Sequence, residues 1–357
     1  SVSSSTHLDS NNTVAIGGVV SATNSVAVGK SALSNNTSGG WNTAVGMYSL
    51  LNNTTGISNT AIGYGALFTN TSSSNNTANG YAALYNNTTG GNNTAIGKEA
   101  LYSNTTGFSN VAIGEDALHS NTTGDYNIAS GFKALYSNTT GDRNTANGTM
   151  ALYNNTTGNF NVANGFEALF SNTTGVENTA NGYQALYSNT TANSNTANGV
   201  KALYSNTTGN ENTANGIEAL KANTTGYNNT ASGNDALYSN TTGNYNAANG
   251  NRALFSNTTG DYNTANGNEA LYSNTTGSNN TAIGRGADVA SNNLTNATAI
   301  GYNAQVSASN AIQLGNSNVT LIQTSGTISA TAFVGDGSGL TGINASVSSS
   351  THLDSNN

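Results

Sequence analysis

The stretch NTAIGKEALYSNTTGFS, residues 93–109, is one copy of the unit from which most of the chain is built. The pattern N-T-A-[I/N]-G-x-x-A-L-Y-S-N-T-T-G-x-x returns every 17 residues, and its first glycine recurs in register from Gly29 to Gly301. A unit of this length is too short for a pair of helices, and it suits one coil of a solenoid with short strands and turns. The sequence therefore predicts an all-β fold: a parallel β-solenoid, or β-roll, of 17-residue coils.

Within the unit, two segments are predicted as strands and one as a turn. NTAIG has the β-branched, alternating character of a strand. ALY is predicted as the second strand, because three residues between turn signals cannot sustain a helix. SNTTG is predicted as a turn in which Asn and Thr bond the local backbone and the glycine is free to adopt positive φ. About seventeen coils stacked at ~4.8 Å would give a rod of roughly 80 Å.

Positions that repeat in every coil are expected to stack into ladders. An alanine stands two residues before each first glycine between positions 15 and 299, which predicts a narrow interior. A leucine follows the glycine by four residues between positions 33 and 271 and is the expected apolar spine. The residue directly before the glycine is polar in the coils from Ser130 to Asn266. We interpret this run as a ladder of side-chain hydrogen bonds, with a ligand-binding polar stripe as the alternative.

An aromatic residue follows the leucine in most coils and forms the candidate surface-binding site. In an extended strand it would face away from the leucine. Its file is interrupted by His119 and Lys221, so we expect it to touch solvent at its tip. Such rings could stack on sugars. Two other interpretations stay open, namely flat Thr and Asn arrays that order water as ice-binding solenoids do, and a passive spacer. The file consists of Tyr85, Tyr102, Tyr136, Tyr153, Phe170, Tyr187, Tyr204, Tyr238, Phe255 and Tyr272.

Changes in residue composition and in the repeat register predict four segments along the chain. They are a linker at residues 1–12, the solenoid at 13–301, a terminal 14-residue coil with a β-rich neck at 302–345, and a second linker at 346–357. Both linkers read SVSSSTHLDSNN, and their offset is 346 − 1 = 345 residues. The second copy would lead naturally into TVAIG, as the first does. We therefore expect the chain to be one unit of a tandem 345-residue super-repeat in a long fibre.

The composition argues against several classes of function. The net charge is −8 with only eight Lys and Arg, so no basic patch is available for nucleic acid. No run of about 18 apolar residues occurs, so this segment is not expected to insert into a membrane. The chain contains no cysteine, so disulfides play no part.

The chain carries no recognisable catalytic constellation, and we expect neither an enzyme nor a cofactor or metal. The histidines are His7, His119 and His352, and His119 is interpreted as a substituted position of the aromatic file. Acidic residues are scattered singly and are interpreted as solvated turn residues; a paired-carboxylate site between coils around Glu115 is the alternative. GDGSGLTG at 335–342 lacks the lysine of a P-loop and is predicted as a tight turn. The N-T-T triplets match the glycosylation pattern, although a turn role explains them.

The repeats resemble those of a known family of surface proteins. NTAIG units, with NSVAVG at 24–29 and NAIQLGNSN at 310–318, resemble the head repeats of YadA-like trimeric autotransporter adhesins. GTISATAFVGDGSGLTGI at 326–343 is similar to stalk sequence in phage-type tail fibres and large bacterial surface proteins. The resemblance covers residues 13–343. It implies left-handed parallel β-rolls in which three chains wind side by side.

This resemblance also implies a role and a location. The expected protein is an extracellular, cell-surface fibre segment that acts as a stalk or an adhesin. Its expected partners are further copies of itself, as a homotrimer and end to end, and a surface glycan or a receptor on a host or neighbouring cell. A phage tail-fibre shaft or a glycan-binding adhesin head is the alternative. The residues alone fit one chain or three.

Overall fold

The computed structural model of the chain describes residues 24–326 and 329, together with the backbone of two strands at residues 6–8 and 14–16. All regular elements in these residues are β-strands, which confirms the predicted all-β class. The strands belong to one compact unit, Ser1–Asn318, and a second unit begins at Val319. Residues 319–326 of the second unit form no strand, and most of the predicted neck lies outside the described residues.

Each 17-residue coil contributes one three-residue strand to a single 20-stranded sheet. Neighbouring strands pair in parallel along the chain from β2 to β18 and on through β20 and β22, while β1 pairs antiparallel with β2. A second sheet pairs β19 with β21. The strands are β1 Thr6–Leu8, β2 Val14–Ile16, β3 Val26–Val28, β4 Thr43–Val45, β5 Thr60–Ile62, β6 Thr77–Asn79, β7 Thr94–Ile96, β8 Val111–Ile113, β9 Ile128–Ser130, β10 Thr145–Asn147, β11 Val162–Asn164, β12 Thr179–Asn181, β13 Thr196–Asn198, β14 Thr213–Asn215, β15 Thr230–Ser232, β16 Ala247–Asn249, β17 Thr264–Asn266, β18 Thr281–Ile283, β19 Asp288–Val289, β20 Thr298–Ile300, β21 Gln305–Val306 and β22 Ile312–Leu314.

The register places each residue beside its equivalent in the next coil. In β7 and β8, for example, Ala95 pairs with Ala112, and both are fully buried. Because side chains alternate across a strand, the residues flanking each alanine point outward. At the last step the spacing shortens, since Thr298 of β20 pairs with Ile312 of β22, 14 residues away. The predicted NTAIG strand and the predicted parallel solenoid are therefore both confirmed.

The second predicted strand, ALY, is wrong for these coils. The backbone there is a turn, in which Leu101 has φ of +52° and Glu99 has φ of +55°, far from the extended region. The left-handed turn lets the adjacent residues Ala100 and Leu101 both lie in the core, an arrangement that an alternating strand would forbid. A second sheet forms at β19 and β21, where the segments ADV and AQV lack the Leu-Tyr pair.

The core is a column of small side chains with one large residue per coil. In the coil at 93–109, Ala95, Ala100 and Leu101 are completely buried, and the same three positions are buried in most other coils. Burying one leucine contributes roughly 1.5–3 kcal/mol. The predicted alanine interior and leucine spine are thus present. The leucines of this spine lie in a left-handed turn and not in a strand.

The two glycines of the unit have different roles. The sequence analysis predicted positive φ for the glycine of SNTTG, but in the structure it is the first glycine that adopts it. The first glycine has positive φ, for example +136° at Gly97, because the strand turns sharply there. The glycine of SNTTG, such as Gly107, does not adopt positive φ. A side chain at Gly107 would instead meet the carbonyl oxygen of Gly124 and the amide of Asn121, so close packing explains this glycine.

Candidate functional site

The predicted aromatic file forms a ladder of stacked rings on one side of the solenoid. Its rings are half-buried, and neighbouring rings lie nearly parallel. The centroids of Tyr153 and Phe170 are 5.3 Å apart at an angle of 7°, and those of Tyr187 and Tyr204 are 5.2 Å apart at 9°. The spacing and the parallel orientation of the rings both follow from the register, which places equivalent residues one strand spacing apart. Within the ladder the ring faces are covered by other rings, so mainly ring edges and hydroxyl groups face outward.

The two residues that interrupt the file are accommodated within the ladder. His119 stacks between Tyr102 and Tyr136, with ring centroids 5.3 and 5.1 Å away. Lys221 places its ammonium group 5.1 Å from the centroid of Tyr238 and donates a hydrogen bond to Glu218 at 2.8 Å. That hydrogen bond raises the pKa of Lys221. A flat ring or a cation can thus occupy a position between aromatic faces.

Burial raises the pKa of two tyrosines of the ladder. It raises the pKa of Tyr85, with a smaller contribution from Tyr102, and it raises the pKa of Tyr187, with a smaller contribution from Glu167. Phenolic groups normally ionise near pH 10, so these tyrosines carry no charge at neutral pH. The ladder is therefore an uncharged surface over most of its length.

Two buried ladders of asparagine were not foreseen from the sequence. The inner Asn ladder begins each unit; Asn161, for example, donates its backbone N–H to Oδ1 of Asn144 at 3.0 Å and its side-chain amide to the carbonyl of Gly175 at 2.8 Å. Its members are Asn42, Asn59, Asn76, Asn93, Asn110, Asn127, Asn144, Asn161, Asn178, Asn195, Asn212, Asn229, Asn246, Asn263 and Asn280, all buried. Every coil is thereby hydrogen-bonded to the preceding coil through the interior.

The turn Asn ladder is formed by the asparagine of SNTTG. Asn155 donates its amide to Oδ1 of Asn138 at 2.8 Å and to the carbonyl of Gly158 at 3.0 Å, and its equivalents do the same. Its members are Asn36, Asn53, Asn70, Asn87, Asn104, Asn121, Asn138, Asn155, Asn172, Asn189, Asn206, Asn223, Asn240, Asn257 and Asn274, all buried. These residues include the acceptor positions of the N-T-T triplets, so the folded coil hides them from glycosylation.

Part of the polar run before the first glycine, from Asn147 to Asn215, forms the predicted ladder of side-chain hydrogen bonds, and this third ladder lies at the surface. Asn147 donates to Asn164 at 2.8 Å, and Asn164 donates to Asn181 at 2.7 Å. The series continues through Asn198 to Asn215. Each amide here faces solvent on one side, so each bond adds less than a bond of the two buried ladders.

Charged residues pair between neighbouring coils on the surface. Lys98 contacts Glu115 at 3.2 Å, and Arg252 contacts Glu269 at 3.3 Å. The hydrogen bond to Glu115 raises the pKa of Lys98. Glu115 itself therefore forms an ion pair with Lys98, and the carboxylates that come together between these two coils are those of Glu99 and Asp116.

Asp288 lies at the start of β19, and its carboxylate makes stability depend on pH. Burial raises its pKa, although hydrogen bonds donated by the backbone N–H groups of Val289 and Ser273 oppose the shift. The folded state thus binds the proton more tightly than the unfolded chain. Stability is therefore retained at low pH and falls as the pH rises above the ordinary aspartate value, about 3.9.

We expect Asp288→Asn to raise the melting temperature at pH 7, because the amide removes a buried charge and its Oδ1 can still accept the N–H groups of Val289 and Ser273, which lie 2.8 and 3.3 Å from this atom. The gain should shrink as the pH falls and vanish near pH 3, where the carboxyl is protonated in both states. Thermal melts followed by circular dichroism at both pH values measure the difference. A gain of equal size at pH 3 would show that the charge is not its cause.

The fold defines the chain as a repeat protein of the parallel β-solenoid class. Comparison with known proteins finds no family model that matches the chain and no curated protein that is similar to it. Within the described residues, no helix is long and apolar enough to cross a membrane.

Proposed function

We propose that the chain is a structural segment of an extracellular surface fibre, one unit of a tandem array that serves as a stalk. The observation that supports this proposal most directly is the continuity of the ladders. The inner and turn Asn ladders run from Asn36 to Asn280, and each coil is bonded to its neighbours through backbone, amides and stacked rings. Such nearest-neighbour coupling gives a stiff module whose stability grows with every added coil. The duplicated twelve-residue linker supports the tandem arrangement.

The composition of the core also favours a mechanical role. The interior is filled with alanine, leucine and bonded asparagine, and fibre segments need such a core rather than a ligand cavity. The acidic net charge of −8 favours solubility at high local concentration.

A coil-deletion series tests this proposal. Removing residues 144–194, three whole coils, joins Arg143 to Asn195 and preserves the register of every ladder. The particle should shorten by about 14 Å, three strand spacings of ~4.8 Å, while its width stays constant. Negative-stain electron microscopy with class averaging measures both dimensions. Compact particles, or a deletion that changes width instead of length, would contradict the stalk role.

A homotrimer is the assembly that the family resemblance implies, and an outward apolar patch supports it. Ile96, Ile113 and Ile128 lie on adjacent strands and are 39%, 43% and 43% exposed. Side-by-side chains would cover these side chains. A native mass of three chains, about 108 kDa from three copies of 36.0 kDa, is expected; a mass of one chain would contradict the trimer.

Adhesion is the second candidate function, and a second group of aromatic side chains supports it. Tyr227, Tyr245 and Tyr262 are 40%, 43% and 56% exposed, more open than the stacked ladder, and Tyr245 and Tyr262 lie 4.9 Å apart. Tyr245 and Tyr262 stack on each other, but their greater exposure leaves more aromatic surface for contact with a sugar than the stacked ladder offers. Glycan-array binding that is lost when these three tyrosines become serine would favour adhesion over a passive stalk.

A further inference from the structure

His119, Glu99 and Asp116 form a compact cluster on the side of the solenoid. Glu99 and Asp116 occupy the same position in successive coils, and His119 lies three residues after Asp116. One potential ligand atom from each residue lies within 4.8 Å of the others, and Nε2 of His119 is 3.8 Å from Oε2 of Glu99. All three side chains are half-buried or nearly buried, since their exposed fractions are 28%, 13% and 22% for Glu99, Asp116 and His119.

The cluster contains buried polar atoms that make no hydrogen bond. Among the described residues, two buried side-chain polar atoms lack a hydrogen-bond partner: Oδ1 of Asp116 and Nδ1 of His119. Buried polar atoms without partners are rare in native structures, and each costs free energy. Both atoms belong to the His-Asp-Glu cluster, so this cluster has bonding capacity that is not used within the chain.

The electrostatics of the cluster also favour a cation. The coil register stacks the carboxylates of Glu99 and Asp116 one above the other, an arrangement of like charges that is unfavourable by itself. Lys133 in the next coil offsets part of this charge, with Nζ 4.0 Å from Oδ2 of Asp116. This ammonium group also lies 5.4 Å from the ring of Tyr136, so its position does not depend on Asp116 alone.

We propose that Glu99, Asp116 and His119 bind one divalent transition-metal ion of the Zn²⁺ class. One imidazole nitrogen and two carboxylates form a set of three protein ligands that suits zinc, with water in the fourth position. The imidazole selects borderline ions of this class over Mg²⁺ and Ca²⁺, which prefer oxygen ligands alone. Stacking between Tyr102 and Tyr136 fixes the plane of the imidazole before the ion arrives, and small rotations of the two carboxylates would close the shell.

The ion would join two consecutive coils, since Glu99 belongs to the coil at 93–109 and the other two ligands to the coil at 110–126. Metal binding to the folded state stabilises that state by mass action. The site would therefore reinforce the stack at one defined level of the solenoid.

The test is titration of the full chain with ZnCl₂ by isothermal calorimetry, beside His119→Tyr. Tyrosine is the residue that the ladder carries at the equivalent positions 102 and 136, so this variant should fold normally. The unmodified protein should bind one more equivalent of Zn²⁺ than the variant and should show a zinc-dependent rise in melting temperature that the variant lacks. His7 and His352 are present in both proteins, so any binding there cancels. Equal stoichiometry in the two proteins would overturn the proposal.

Three further variants show whether the three side chains act together. Asp116→Gln places at this position the residue found at the equivalent Gln184, and it should also lose the equivalent of Zn²⁺. Lys133→Met removes the competing ammonium group and should strengthen binding. Glu167→Gln is the matched control, because Glu167 occupies the coil position of Asp116 but Phe170 stands in its coil where His119 stands. This variant should leave zinc binding unchanged. Loss of binding in Glu167→Gln, or retention of it in Asp116→Gln, would contradict the assigned ligands.

Discussion

Replacing Asn144 with alanine is expected to lower the free energy of unfolding by about 3–6 kcal/mol, because the buried N–H of Asn161 loses its partner and three further buried hydrogen bonds are lost. Oδ1 of Asn144 accepts the backbone N–H of Asn161 at 3.0 Å, and its amide donates to the carbonyl of Gly158 at 2.8 Å. Alanine provides neither contact, and the position is fully buried. Each buried donor or acceptor left unsatisfied costs about 1–3 kcal/mol.

Asn147→Ala is the matched control in the same coil. Asn147 is exposed and donates one hydrogen bond, to Asn164 at 2.8 Å, and solvent can replace that bond. We expect a loss below about 1 kcal/mol. Chemical denaturation of the two variants, followed by circular dichroism, gives both values. Equal losses at the two positions would mean that the inner Asn ladder is not a main source of stability.

Gly165→Ala is the second change with a large expected effect, a loss of more than about 4 kcal/mol with local unfolding of its coil. Gly165 has φ of +140°, a conformation open essentially to glycine alone. The added Cβ would overlap the carbonyl oxygen of Gly182 and lie 2.7 Å from its carbonyl carbon. Both atoms belong to the backbone of the neighbouring coil, so no side-chain rotation can relieve the overlap.

Gly65→Ala controls for the loss of a glycine with positive φ. Gly65 has φ of +63°, and other coils carry Glu99 or Lys201 at the same position with similar φ. The new Cβ would lie 3.1 Å from the ring of Tyr85, which can shift. We expect a loss of about 1–2 kcal/mol, the usual cost of left-handed backbone. Hydrogen exchange measured by mass spectrometry should show faster exchange near position 165 in Gly165→Ala. It should show no increase in exchange near position 65 in Gly65→Ala. Protected amides around position 165 in the first variant would contradict the close packing of the two backbones.

The periodicity of the sequence was sufficient to predict the parallel solenoid, its coil length and its alanine and leucine columns. It failed at the second strand because strand propensity reflects side-chain type, whereas the backbone at Leu101 adopts the left-handed region. Nothing in a single ALY segment signals that sign of φ. Most coils carry a residue other than glycine just before Ala-Leu, such as Glu99 or Lys201, and the glycine at position 65 was a single exception that did not mark the turn.

The buried asparagines were missed for a different reason. Asn in N-T-T and N-T-A is typical of turns, and turns are usually solvated. The usable signal was invariance: both asparagines recur in coil after coil, while solvated turn positions vary. The cluster around His119 could have been found in the same way, since a 17-residue register places residues 99 and 116 next to each other.

The buried amides also give the molecule a direction. In both buried ladders the bonds between asparagines run from a donor in the later coil to Oδ1 in the earlier one, as from Asn161 to Asn144 and from Asn155 to Asn138, whereas the inner-ladder amides also donate forward to a carbonyl, as Asn161 does to Gly175. A folded coil thus offers its unfilled Oδ1 atoms toward the segment that follows it in the sequence. During synthesis from the N-terminus, each completed turn would be a template for the peptide emerging next, so folding can proceed in step with translation and in a single orientation.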